Sequence, residues 1–94
     1  MRFQLPKTKF VGSVTLKEQI TKVIEEAREI RAAYQSLESP ERIIEEALHT
    51  YQALETLFRQ AENEYGPAWL EDQLQAHIWS MTDRGYYGHS RLSV

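Results

Sequence analysis

The sequence predicts an all-α fold: an antiparallel helical hairpin with a third helix across it. Three observations lead there. Apolar residues recur at spacings of three and four along three separate stretches. Each stretch opens on residues suited to a helix N-terminus. The breaks between stretches are short and carry Ser, Pro or Gly.

Residues 1–12, MRFQLPKTKFVG, have no helical period, and Pro6 and Gly12 interrupt them. They read as an extended N-terminal arm or short strand, with Phe3, Leu5, Phe10 and Val11 free to pack on a neighbour. The first helix is expected from Leu16 to about Gln35. Thr15-Leu16-Lys17-Glu18 fits a capping box, in which hydroxyl and carboxylate each satisfy a free backbone N–H. Leu16, Ile20, Val23, Ile24, Ala27, Ile30 and Tyr34 form its stripe. Ser39-Pro40 opens the second helix, with Ser as cap and Pro where its missing N–H costs nothing. That helix should run to about Asn63, with a stripe from Ile43 and Ile44 through Leu48, Tyr51 and Leu54 to Phe58 and Ala61. Tyr65-Gly66-Pro67 ends it and starts a third helix carrying Trp69, Leu70, Leu74, Ile78, Trp79 and Met81. Gly85 suits a C-terminal cap, and residues 86–94 read as an irregular tail. For the stripe residues, core packing is the default expectation.

Ninety-four residues make one domain, 1–94, with a modest core that a partner subunit would extend. The net charge of −3 does not suggest a nucleic-acid partner. Residues 17–64 hold eleven acids against six bases. An acidic middle repels phosphate unless a cation stands between them. There is no cysteine, which excludes disulfides, thiolate metal sites and cysteine nucleophiles. No apolar run has signal-peptide or membrane-spanning length, so a cytoplasmic protein without membrane contact is expected. No Gly-x-Ser-x-Gly and no phosphate-cradling glycine loop is present.

Two acidic clusters stand out, IEEAREI at 24–30 and IEEALHTYQAL at 44–54. By the helical period Glu46 and His49 share a face, as i,i+3 residues do, and that face lies opposite Ile44, Leu48 and Tyr51. Two readings are open. The acids and the histidine are solvated residues on amphipathic helices, or they point into a shared groove and hold a hard divalent ion. His77 reads as a packed or surface histidine and His89 as solvated. Trp69, Trp79, Tyr86 and Tyr87 are the aromatic residues able to stack a base, although packing is the better reading of both tryptophans.

The pattern Glu25-Glu26-x-x-Glu29 followed by Glu46-x-x-His49 resembles the E-E-x-x-E and E-x-x-D motifs of the MazG-like all-α nucleoside triphosphate pyrophosphohydrolases. KVIEEAREI resembles that family's first motif helix and ERIIEEALHTYQALETLFRQ its second; DRGYYG resembles the Arg-Gly-Tyr end of short, phage-type members. The resemblance spans about residues 16–88. It implies a helical bundle that assembles as a homodimer or homotetramer. It also implies hydrolysis of a nucleoside triphosphate to monophosphate and pyrophosphate. Mg²⁺ would be held at Glu26, Glu29, Glu46 and the place of His49, with Glu25 and Glu26 serving catalysis and Glu25 as supporting acid or base for water. Arg84, Lys22 and Arg28 would meet phosphate.

Two departures accompany the likeness. His49 stands where the family has Asp, and Ser80-Met81-Thr82-Asp83 replaces the Lys or Asn often found before Arg-Gly. An imidazole favours softer ions than Mg²⁺. His49 therefore has three open roles: ligand to an ion such as Mn²⁺ or Co²⁺, protonated phosphate contact, or mark of a site that has lost its metal. The alternative function is a non-catalytic MazG-like helical oligomer that binds nucleotides or proteins. A third reading, an unrelated helical interaction module, would bury no carboxylate.

Overall fold

The computed structural model describes residues 1–88. It is all-helical, with no strand among the described residues: α1 is Leu16–Gln35, α2 is Pro40–Tyr65 and α3 is Pro67–Asp83. The expected tail lies partly outside the described residues, His89 included. The chain divides into two compact units. One is Arg2–Ala61; the other takes Met1 and the chain from Glu62 onward.

The helix ends follow from their caps. Thr15 Oγ1 accepts from the Glu18 N–H at 3.1 Å, and the Glu18 carboxylate accepts from the Thr15 N–H at 2.8 Å. This closes the capping box. Ser39 Oγ accepts from the Arg42 N–H at 3.2 Å, which caps α2. Gly66, at φ +97°, turns the chain so that Pro67 opens α3. At the C-terminus of α3 the Tyr86 N–H reaches the Met81 carbonyl and the Gly85 N–H the Thr82 carbonyl, around a left-handed Gly85. That is the paired-bond ending favoured by glycine. α1 ends the same way, with the Glu38 N–H on Ala33 and the Leu37 N–H on Tyr34. Here the left-handed residue is Leu37, at φ +56°. Its Cβ crowds the backbone at a cost of about 1 kcal/mol.

The arm carries no regular structure over residues 1–8 and bends at Gln4 and Leu5. Lys9–Gly12 close into a 3₁₀ turn, because the Ser13 and Val14 N–H groups both find the Phe10 carbonyl. Val11 is buried there. The arm is strapped to α2 by polar side chains. Glu55 accepts from the Gln4 and Leu5 N–H groups at 2.7 and 2.8 Å. Arg59 donates to the Leu5 carbonyl at 2.8 Å and lies 4.5 Å over the Phe3 ring. Gln52 donates to the Pro6 carbonyl, and the Thr8 and Thr56 hydroxyls pair at 2.9 Å. Gln60 donates to the Val14 carbonyl at 3.0 Å.

α1 and α2 pair antiparallel, since Gln19 meets Ala53 and Glu26 meets His49. The Gln19 amide donates to the Ala53 carbonyl at 2.9 Å. Small residues, Ala33 and Ala53, are buried. This corrects the expected core. The stripes centred on Ile20 and Ile24, and on Ile44, Leu48 and Tyr51, are between 42% and 59% exposed. The buried positions are instead Gln19 on α1 and Glu46, Glu55, Thr56 and Gln60 on α2. The physical reason is local. Each of those polar side chains meets a backbone group, a hydroxyl or a charged partner, although Gln60 Oε1 and Arg59 Nη1 are buried without a hydrogen-bond partner. By the helical period the Ile44, Leu48 and Tyr51 stripe of α2 turns away from Glu46 and Ala53, which face α1.

In the second unit Leu70 is buried, while Tyr65 and Trp69 touch with ring centroids 4.7 Å apart. Trp69 and Trp79 are 41% and 68% exposed, which corrects the expectation that both tryptophans are packed.

Candidate metal centre

Glu26 comes from the middle of α1. Glu46 and His49 lie three residues apart on one face of α2. Antiparallel pairing brings them level, and one ligand atom from each lies within 4.8 Å of the others. His49 Nδ1 is 3.7 Å from Glu26 Oε2 and 3.6 Å from Glu46 Oε1. In an octahedral site with bonds of about 2.1 Å, neighbouring ligand atoms lie about 3 Å apart and opposite ones about 4.2 Å. The two separations from His49 Nδ1 fall between these, and the set as a whole lies within 4.8 Å. The donor set of two carboxylates and an imidazole therefore fits a divalent ion, with some preference for softer ones. His49 Nε2 faces Glu45 at 4.0 Å, longer than a hydrogen bond but close enough to orient the ring.

The burial of the three differs. Glu46 is 4% exposed, Glu26 is half-buried and His49 is exposed. Both carboxylates have cationic partners. The Lys22 ammonium lies 2.8 Å from Glu26, and the Arg42 guanidinium lies 2.9 Å from Glu46 and 3.2 Å from Glu45. The hydrogen bond and charge of Glu26, with a smaller contribution from Glu25, hold the Lys22 ammonium above the ordinary lysine range.

A groove of about 610 Å³ runs along this face, a size suited to a small ligand. Glu25, Glu26, Lys22 and His49 line one end, and Thr8, Phe10, Val14 and Thr56 line the other.

Of the residues that the sequence singled out, Glu26, Glu46 and His49 are brought together, with Lys22 and Glu25 beside them. Glu29 is exposed on the next turn of α1 and is not in the three-residue cluster; Arg28 is also exposed on α1. Arg84 belongs to the second unit, where its guanidinium lies 4.9 Å over the Tyr86 ring. Trp69, Trp79, Tyr86 and Tyr87 belong to that unit too.

Sequence reasoning missed Arg42, although its i,i+4 spacing to Glu46 was visible. It also missed the wall built by Thr8, Phe10, Gln52 and Thr56, for which no local pattern exists. No family model, curated protein or solved structure matches the chain.

Proposed function

We propose that this chain is a metal-dependent nucleoside triphosphate pyrophosphohydrolase of the MazG-like kind, converting a triphosphate to monophosphate and pyrophosphate. The observation that carries the reading is the convergence of Glu26, Glu46 and His49 within 4.8 Å at one end of an open groove. Those three would hold Mg²⁺, or Mn²⁺ or Co²⁺ on account of the imidazole, with Glu29 entering from the next turn. When bound, the ion supplies positive charge to phosphate oxygens and makes water more acidic. Glu25, exposed on the groove wall, would take a proton from water. Lys22, once an ion replaces it on Glu26, is free to meet a phosphate oxygen. Arg28, exposed on α1, is a further candidate for that role. Assembly as a homodimer or homotetramer belongs to the same reading. It is supported by the exposure of Ile20, Ile24, Ile44, Leu48 and Tyr51.

Pyrophosphate release from a panel of nucleoside triphosphates, with Mg²⁺, Mn²⁺ and Co²⁺ in parallel, tests the proposal. Release should require the ion and be lost in Glu46→Gln. Turnover that survives Glu46→Gln removes this mechanism.

A second reading is favoured by the ion pairs themselves. Lys22 and Arg42 already neutralise the two carboxylates, as in a non-catalytic helical oligomer. That reading expects no saturable rise in unfolding midpoint with Mg²⁺ or Mn²⁺. The third reading, an unrelated helical module, expects no buried carboxylate, whereas Glu46 and Glu55 are each 4% exposed.

A further inference from the structure

The groove extends well beyond the acidic cluster. On α1 it runs from Glu26 back to Glu18, and on α2 from His49 on to Thr56, nine and eight residues of helix, a rise of about 10–12 Å. That is the reach of a nucleotide from its phosphates across the ribose to the base. The chemistry changes over this length. The cluster end is charged. The far end is made by the arm, with Phe10 and Val14 beside the paired hydroxyls of Thr8 and Thr56.

Phe10 is 47% exposed although its neighbour Val11 is buried. The backbone beneath it is fixed, because the 3₁₀ turn closes on the Phe10 carbonyl. Thr8 and Val14 on either side are tied to Thr56 and Gln60 of α2. The ring is therefore presented on a rigid wall without serving the core. The Lys9 ammonium lies 5.5 Å from the ring centroid, and Glu18 also lines the groove.

We infer that the arm end of the groove is the base subsite and that Phe10 is the residue on which the nucleobase stacks. The inference rests on the proposed function, since the cluster end must first hold the phosphates through an ion. It assigns substrate selection to the arm, and it gives the strap a purpose: Glu55, Arg59 and Gln52 hold the arm that carries the ring. The hydroxyls of Thr8 and Thr56 line the same groove and are able to meet a base edge.

The test uses the full chain. The four common α,β-methylene nucleoside triphosphates, which resist hydrolysis at that bond, and inorganic tripolyphosphate are titrated calorimetrically in Mn²⁺. Wild type, Phe10→Ala and Phe10→Trp are compared, and Mn²⁺ alone is titrated into each. Phe10→Ala should weaken the tightest nucleotide by about 5- to 100-fold, the range found for removing one base–aromatic stack. Tripolyphosphate and Mn²⁺ affinities should stay unchanged. Phe10→Trp should keep nucleotide affinity and add a fluorescence change on binding that wild type lacks. Equal nucleotide affinity in wild type and Phe10→Ala overturns the inference and leaves the proposed function standing. Equal weakening of nucleotide and tripolyphosphate also overturns it, because the ring then acts on the phosphates or the fold. A wild type that binds neither Mn²⁺ nor any nucleotide removes the functional reading and the inference together.

Discussion

Glu46 and Glu55 sit on the same helix, and each is 4% exposed, yet they are held in different ways. Glu55 takes two backbone N–H groups, from Gln4 and Leu5, at 2.7 and 2.8 Å. Glu46 takes the guanidinium of Arg42, a side chain that is itself 45% exposed, and faces His49 at 3.6 Å. Backbone donors are part of the fold and cannot leave without moving the arm. An exposed arginine can turn away and be replaced by a ligand. Burial alone does not mark a functional carboxylate; the exchangeability of its partners does. By that criterion Glu55 is structural and Glu46 is available for chemistry.

The largest expected effect is on stability at Glu55. Glu55→Ala leaves two backbone N–H groups and Arg59 without their carboxylate and should cost about 3 kcal/mol, read from urea unfolding. Trypsin should then cut the arm at Lys7 and Lys9. Mn²⁺ affinity should not change. A stable Glu55→Ala protein would erase the distinction between the two carboxylates.

Acid should act on the same contact. Burial pushes the Glu55 carboxyl up, but the Gln4 and Leu5 N–H groups, the Tyr51 hydroxyl and Arg59 outweigh it, so the carboxyl sits below its usual range. A carboxyl lowered in the folded state adds stability that is fully present above its unfolded value. That stability is lost as pH falls through the folded value. Glu18, lowered by the Thr15 N–H, and Glu71, lowered by the terminal ammonium, carry the same sign. Wild type should therefore lose stability below about pH 4.5, and Glu55→Gln should lose less over that interval. Parallel curves for the two proteins would show that Glu55 adds nothing to the acid response.

Glu46→Gln should cost less than Glu55→Ala, about 1–2 kcal/mol, while removing any rise in midpoint with Mn²⁺. Arg42→Met should act on a similar scale, because the guanidinium is 45% exposed but the Glu46 side chain it leaves unpaired is only 6% exposed. Because it frees Glu46, it should tighten Mn²⁺ binding in calorimetry. Weaker binding would assign Arg42 to the site as a required partner and blur the contrast drawn above.

Helix boundaries were legible in the sequence because caps are local. Thr15 with Glu18, Ser39-Pro40 and Gly66-Pro67 each placed a helix start within one chain segment. The Glu46-x-x-His49 spacing was legible for the same reason, and Glu26 needed only the antiparallel pairing that a short link imposes. The side of each helix that turns inward was not legible. Periodicity finds the apolar face, but Gln19, Thr56 and Gln60 show that polar side chains are buried where each has a donor or acceptor paired across the gap. Those partners, the carbonyls of Ala53 and Val14 and the hydroxyl of Thr8, lie dozens of residues away. Phe10 escaped for a related reason: a lone aromatic in an arm has no period to read.

The strap also has a consequence for the order in which the chain folds. The Gln19–Ala53 contact closes 34 residues of sequence, while the arm contacts of Gln4, Leu5 and Thr8 close 48 to 51. Longer loops close later, since their entropy is lost before their contacts form. The hairpin should therefore assemble first and the arm dock last. In stopped-flow kinetics Glu55→Gln should then speed unfolding and leave the refolding rate nearly untouched. On this order the charged end of the groove takes shape before the wall that carries Phe10.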